Sequence, residues 1–164
     1  MATNLKNLSD FSNLDIPSAQ NYRFGIVVSQ WNEEVTNALY RGAYDVLHKY
    51  GAEEENIVTL QVPGSYELIS AADMLLTSKQ FNAVICLGCV IQGETRHFDF
   101  ICDAVGNGLA NVSIKHNKPV IFGVLTTDNL QQALDRSGGV HGNKGEEAGV
   151  TAIKMAHIQH SLAV

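Results

Sequence analysis

A repeating order of short apolar runs and helical periods constrains this chain more than any other feature. Phe24-Gly25-Ile26-Val27-Val28 is a continuous apolar run, as expected of a strand buried on both faces. After it, Val35, Leu39, Ala43, Val46 and Leu47 recur at helical spacing and predict a helix over 32–50. Asn32 is its candidate N-cap and Gly51 its terminator. The unit then recurs. A strand is predicted over 57–62 and broken by Pro63-Gly64, and a helix over 66–78 follows, carrying Leu68, Ile69, Ala72, Leu75 and Leu76. A third strand is predicted over 83–90 and a third helix over 99–116, where Gly106 and Gly108 each cost about 1 kcal/mol relative to alanine. The last strand is expected over 120–125. Thr127-Asp128-Asn129 with Gln131 forms a capping-box-like helix start. A glycine-rich connector over 137–145 then leads to a final helix over 146–161.

Strand–helix alternation at this spacing means βαβ units and a parallel sheet covered by helices on both faces. The expected fold is therefore α/β: a three-layer α/β/α sandwich with a central parallel four-stranded sheet, flavodoxin-like. An extended N-terminal arm over 1–22, polar and aperiodic, precedes a single domain over 23–164. At 164 residues one domain is the natural outcome. The net charge of −6 comes without a basic block, so neither nucleic acid nor an anionic membrane is called for as partner. Charged residues make up 17%, below the usual ~25%, which points to surface facing another subunit. Met1-Ala2-Thr3-Asn4-Leu5 lacks the positive patch and apolar run of a secretory signal. With three cysteines, an odd number, this places the chain in a reducing cytoplasm.

In parallel sheets, ligands bind beyond the carboxyl ends of the strands, so the residues just after each strand carry the information. After the first stands Trp31, the only tryptophan, able to stack on a flat heterocycle or to plug a helix end. After the second, Ser65-Tyr66-Glu67 offers a carboxylate that could accept from ligand hydroxyls or merely complement a helix N-terminus. The stretch Gly88-Cys89-Val90-Ile91-Gln92-Gly93-Glu94-Thr95-Arg96-His97-Phe98-Asp99 concentrates most of the signal. Its amides and the Thr95 hydroxyl suit an anion near a helix start, yet it lacks the Lys-Ser/Thr ending of a nucleoside-triphosphate loop. His97 can exchange protons near neutral pH, with Asp99 a candidate for orienting its ring; equally, it could be a surface histidine. Arg136 and Lys144, flanking the connector, suit phosphate or are solvated surface charges. Cys86 and Cys89 match a Cys-x-x-Cys spacing, but side chains three apart on a strand point to opposite faces, and no second pair completes a zinc site. No metal is expected, and His157 and His160 are read as surface residues.

Taken in order, these residues resemble the lumazine synthase family of riboflavin biosynthesis, from about Phe24 to the C-terminal helix. The marks are Trp31-Asn32, Pro63-Gly64-Ser65-Tyr66-Glu67, Gly88 through Asp99, Thr126-Thr127 and Gly142-Asn143-Lys144-Gly145. The resemblance implies condensation of 5-amino-6-(D-ribitylamino)uracil with 3,4-dihydroxy-2-butanone 4-phosphate to 6,7-dimethyl-8-ribityllumazine, with neither metal nor organic cofactor. It also implies roles. Trp31 stacks on the pyrimidine, and Ser65, Tyr66 and Glu67 hold the ribityl chain and ring edge. Cys89, Val90 and Ile91 contact the pyrimidine, Glu94 and Thr95 bind the phosphate, and His97 transfers protons. Positions matching Phe122, Arg136 and Lys144 come from the neighbouring subunit.

Two positions depart from the common family pattern. Glu94 stands where many members carry a small residue, so backbone contacts are expected there with the carboxylate turned to solvent. The connector reads Gly138-Gly139-Val140-His141 where many relatives have a lysine. By the same resemblance the chain builds pentamers, and the short connector leans towards a sixty-subunit shell, with the arm pairing with a neighbour's sheet edge. Two other classes compete. One is a flavin- or lumazine-binding protein that keeps the pocket without turnover. The other is a small phosphosugar-binding domain, which needs neither Trp31 nor a site spanning subunits.

Overall fold

In the computed structural model, which describes residues 7–78 and 80–162, the four apolar runs form one parallel sheet. They are β1 (Phe24–Ser29), β2 (Ile57–Val62), β3 (Ala83–Ile91) and β4 (Val120–Thr127), in the order β2-β1-β3-β4. Phe24 pairs with both Ile57 and Ala83, which sets the register of β1 against the edge strand β2 and the inner strand β3. Helices α1 (Glu33–Lys49), α2 (Leu68–Ser78), α3 (His97–His116), α4 (Leu130–Leu134) and α5 (Lys144–Leu162) follow the strands, and a 3-10 turn spans Glu54–Asn56. Alternate strand residues face opposite layers. Ile26, Ile85 and Leu87 pack with Leu39 and Leu47 of α1 and Ile153 of α5. Val27, Val84 and Cys86 pack with Leu68 and Leu75 of α2 and Leu109 of α3. The result is the three-layer α/β/α sandwich, and burial of a side chain such as Leu39 contributes roughly 1.5–3 kcal/mol to it. Cys86 and Cys89 lie in different clusters, on opposite faces of the sheet.

Helices α1 and α5 meet backbone to backbone. A Cβ on Gly145 would stand 1.9 Å from the Leu39 carbonyl oxygen, so only glycine fits there. Gly108 answers the same need between α2 and α3, where a Cβ would lie 2.5 Å from Ile69 Cδ1. That contact is why a glycine in mid-helix is tolerated. At the far end of this layer, Asp73 Oδ1 accepts from Lys115 Nζ and pairs with His116 Nε2, both at 2.7 Å. The Lys115 and His116 hydrogen bonds hold the Asp73 carboxyl below its ordinary value.

Several local expectations are corrected. Asn32 does not cap α1 with its side chain; it sits in the left-handed region at φ 60°. Helix α2 begins at Leu68 rather than at residue 66, because 65–67 form a turn. Helix α3 begins two residues earlier than predicted, at His97. The cap of α4 is Asn129, whose side chain accepts from the Gln132 amide, while Gln132 Oε1 accepts from the Asp128 amide. Gln132, not Gln131, is thus the reciprocal partner. The connector is not featureless: β5 (Ser137–Gly139) and β6 (Gly142–Asn143) make a small antiparallel hairpin. Its Asn143 donates to the Ala38 carbonyl and accepts from the Gly145 amide, pinning the hairpin to α1 and to the start of α5.

Residues 7–23 contain turns but neither helix nor strand. They nevertheless lie on the body: Leu8, Ala19 and Tyr22 are buried, the Leu8 amide donates to the His141 carbonyl, and Ser9 Oγ accepts from the Asn143 amide. Tyr22 also meets His157 through its hydroxyl at 3.2 Å and His160 edge-on. The expectations placed on 1–6, including the reading of Met1 to Leu5, lie outside the described residues. Among the described residues no helix is long and apolar enough to cross a membrane.

Candidate active site

The loops leaving the carboxyl ends of β1, β2 and β3 enclose a cleft of about 660 Å³. Two hydrogen bonds extend the β1–β2 ladder beyond the strands, from the Gln30 amide to Val62 O and from the Trp31 amide to Pro63 O. The chain then turns sharply at Asn32. Its left-handed backbone is one asparagine adopts more readily than most residues, and its Nδ2 donates across the cleft floor to the Cys89 carbonyl at 2.9 Å. This turn leaves Trp31 on the rim, 73% exposed.

On the β2 side, Gly64 donates its amide to Glu67 Oε2 at 3.0 Å, so the carboxylate first holds its own turn. Ser65 is buried beneath that turn, and Tyr66 stands out at its edge. From β3 come Cys89, Val90 and Ile91. Burial pushes the Cys89 thiol up to about 11, so at neutral pH it is a neutral contact surface rather than a nucleophile. The far wall is Gly93, Thr95, His97, Phe98 and Ile101. Thr95 Oγ1 accepts from the His97 amide at 3.4 Å and opens α3. His97 and Ile101, four apart, share a helix face toward the cleft.

Nine of the thirteen expected site residues therefore line one cleft: Trp31, Ser65, Tyr66, Glu67, Cys89, Val90, Ile91, Thr95 and His97. Glu94 is exposed and outside the lining. Phe122 on β4, Arg136 and Lys144 are also outside it. Arg136 and Lys144 are brought together instead, the Lys144 amide donating to the Arg136 carbonyl at 2.8 Å. Arg136 Nη1 donates to Gln132 O, and Lys144 Nζ sits 3.0 Å from Glu147. Asp99 does not orient His97; its carboxylate faces Arg96 Nε at 3.6 Å. Sequence reasoning missed Asn32 as a cross-link, and it missed Phe98 and Ile101. The helical spacing of 97 and 101 was a usable signal for the last.

The model of the 6,7-dimethyl-8-ribityllumazine synthase family matches residues 21–160. The chain belongs to that family. Its members are transferases of riboflavin biosynthesis that condense the pyrimidine substrate with the butanone phosphate. A 6,7-dimethyl-8-ribityllumazine synthase of Cytophaga hutchinsonii is 60% identical over 150 residues, 92% of this chain and 94% of the relative. That of Flavobacterium johnsoniae is 50% identical over 164 residues, all of this chain and 86% of the relative. That of Porphyromonas gingivalis is 45% identical over 159 residues, 97% and 99% of the two chains. The cleft has one notable electrostatic property. No lysine or arginine among the described residues lines it, although one substrate of the family is a phosphate ester.

Proposed function

We propose that this cleft joins 5-amino-6-(D-ribitylamino)uracil to 3,4-dihydroxy-2-butanone 4-phosphate, giving 6,7-dimethyl-8-ribityllumazine, phosphate and water. The observation that carries the residue assignments is the convergence of the three post-strand loops on one cavity in a chain of this family. Trp31 stacks on the pyrimidine from the rim. Segment 65–67 holds the ribityl chain and ring edge, with Cys89, Val90 and Ile91 as the apolar bed. Thr95 and the amides around Glu94 take the phosphate, the Glu94 carboxylate remaining in solvent. An imine forms between amine and ketone with loss of one water, phosphate leaves by elimination, and ring closure expels a second water. Each stage moves protons, and His97 at the head of α3 serves that transfer. Holding two substrates together in one cavity supplies a further large share of the rate.

The site is shared between subunits in this reading. A phosphate in a cavity that no cationic side chain among the described residues lines is poorly neutralised, and Arg136 and Lys144, joined by a backbone hydrogen bond, lie away from the cleft of their own chain. A neighbour's Phe122, Arg136 and Lys144 complete the cleft. Exposed Phe100, Ile114 and Met74 on α2 and α3 support burial against other copies, in pentamers that assemble into a sixty-subunit shell. The division into an arm over 1–22 and a domain over 23–164 rests on the lack of helix and strand in 7–23. The free thiols of Cys86, Cys89 and Cys102 support the cytoplasm as compartment.

Mixing the two substrates with purified protein yields the fluorescent lumazine; formation no faster than in buffer overturns the assignment. Sharing of the site is tested by mixing a His97→Ala chain with an Arg136→Ala chain. Subunit exchange restores activity if each cleft draws on two chains, and exchange without recovery rejects the shared site.

A further inference from the structure

The Trp31 ring is held by little of its own. It is 73% exposed, and among the described residues no other ring or cation stacks on it. Its place at the rim is therefore set by the backbone beneath it. The β1–β3 ladder ends at the pair Val28 and Leu87, while β3 runs on to Ile91 paired with β4. Past that end, Asn32 Nδ2 donates to the Cys89 carbonyl at 2.9 Å, a side chain taking over where the backbone pairing stops. On the opposite side, the Trp31 amide donates to Pro63 O at 3.2 Å. The Asn32 carbonyl meanwhile accepts from the Val35 and Thr36 amides and so opens α1. One residue thus joins β3, the rim and α1.

The residue type at this joint is narrowly constrained. Its φ of 60° lies in the left-handed region, which glycine, asparagine and aspartate take most readily. Of these three, glycine has no side chain to donate. An ionised aspartate only accepts, and would set a carboxylate against the Cys89 carbonyl oxygen. Asparagine alone combines this backbone with the donor. We propose that Asn32 is a positioning residue: its bond to Cys89 fixes the turn that carries Trp31, and so holds the indole at the height where it stacks on the pyrimidine. This rests on the function given above, in which Trp31 is the stacking ring. The bond is made before substrate arrives, so its loss weakens binding and leaves proton transfer at His97, on the far wall, in place.

Asn32→Gly keeps the backbone and removes only the donor. It is expected to raise KM for the pyrimidine about fivefold, the equivalent of one net hydrogen bond, with kcat within about twofold. Asn32→Asp raises KM further, because an acceptor then faces an acceptor. Trp31 is the only tryptophan, so its fluorescence reads the rim directly. Without substrate, the time-resolved anisotropy of Asn32→Gly loses a larger share of its signal on the nanosecond scale than that of wild type. In a Trp31→Ala background, Asn32→Gly raises KM by less than about twofold, because the group it positions is gone. Unchanged anisotropy in Asn32→Gly overturns the proposal even if KM rises, since Asn32 then acts on substrate directly. An unchanged KM, or the full effect persisting beside Trp31→Ala, overturns it as well. Wild-type turnover separates the two readings: if the wild-type chain makes lumazine while these results fail, only the role of Asn32 falls.

Discussion

The two ends of α1 obey different rules. Along its length it lies against α5 with backbone touching backbone, Gly145 against Leu39, and the hairpin residue Asn143 filling the corner beside Gly42. At its N-terminus the chain instead throws Trp31 into solvent, opposite an exposed Tyr66, over a floor held by one asparagine side chain. The seam is complete within one chain. The rim carries exposed aromatic rings, and no lysine or arginine among the described residues lines the cleft below it. The close packing at Gly145 and Gly42 and the uncovered rings of Trp31 and Tyr66 a few residues away are two outcomes on one helix and its neighbouring loops.

Substitutions can sharpen that contrast. At the seam, Gly145→Ala forces a methyl into a backbone carbonyl; overpacking of this kind costs about 3 kcal/mol or more. Thermal unfolding then shows a large fall in Tm, and any soluble fraction keeps its turnover per folded site. At the rim, His97→Ala leaves Tm unchanged, since the ring is exposed, but slows lumazine formation by roughly a hundredfold or more, as for loss of a proton-transfer group. If both variants lose stability equally, the division between seam and rim fails.

The smallest effect concerns Cys89. Its folded value, about 11, lies above the unfolded one, so the neutral thiol stabilises the fold fully below the unfolded value. That contribution is lost as pH rises through about 9 to 11. Unfolding measured across this window shows declining stability. The decline is shallower in Cys89→Ala, which has lower stability at neutral pH.

How much of this was legible in the sequence varied with the range of the interaction. Strand 57–62 was bounded correctly because Pro63-Gly64 ends it locally, and the helix over 32–50 because its apolar spacing runs unbroken to Gly51. The start of α2 was misplaced because the Glu67 carboxylate bonds the Gly64 amide and holds 65–67 as a turn, a local competition that propensity does not weigh. Asn32 reads as an N-cap by type, yet its side chain serves Cys89, 57 positions away, and nothing in the local pattern announces that. The hairpin at 137–143 was hidden for another reason. Strands of three and two residues rich in glycine carry no alternation to detect. The cleft was mostly legible because a parallel sheet gathers its post-strand residues at one edge. The positions of Arg136 and Lys144 away from it follow from α4 and the hairpin, elements too short to leave a period.

The strand order has a consequence for how the molecule comes into being. Within the parallel sheet every pairing is non-local: β1, made first, must wait for β2 and then for β3. Closing such long loops comes before the contacts that reward it, so this topology folds slowly compared with helical bundles of the same size. The cleft draws on all three of these strands, so it is complete only once β3 has joined the sheet. Substrate can therefore assist only the last steps of folding, by trapping a sheet that has already closed.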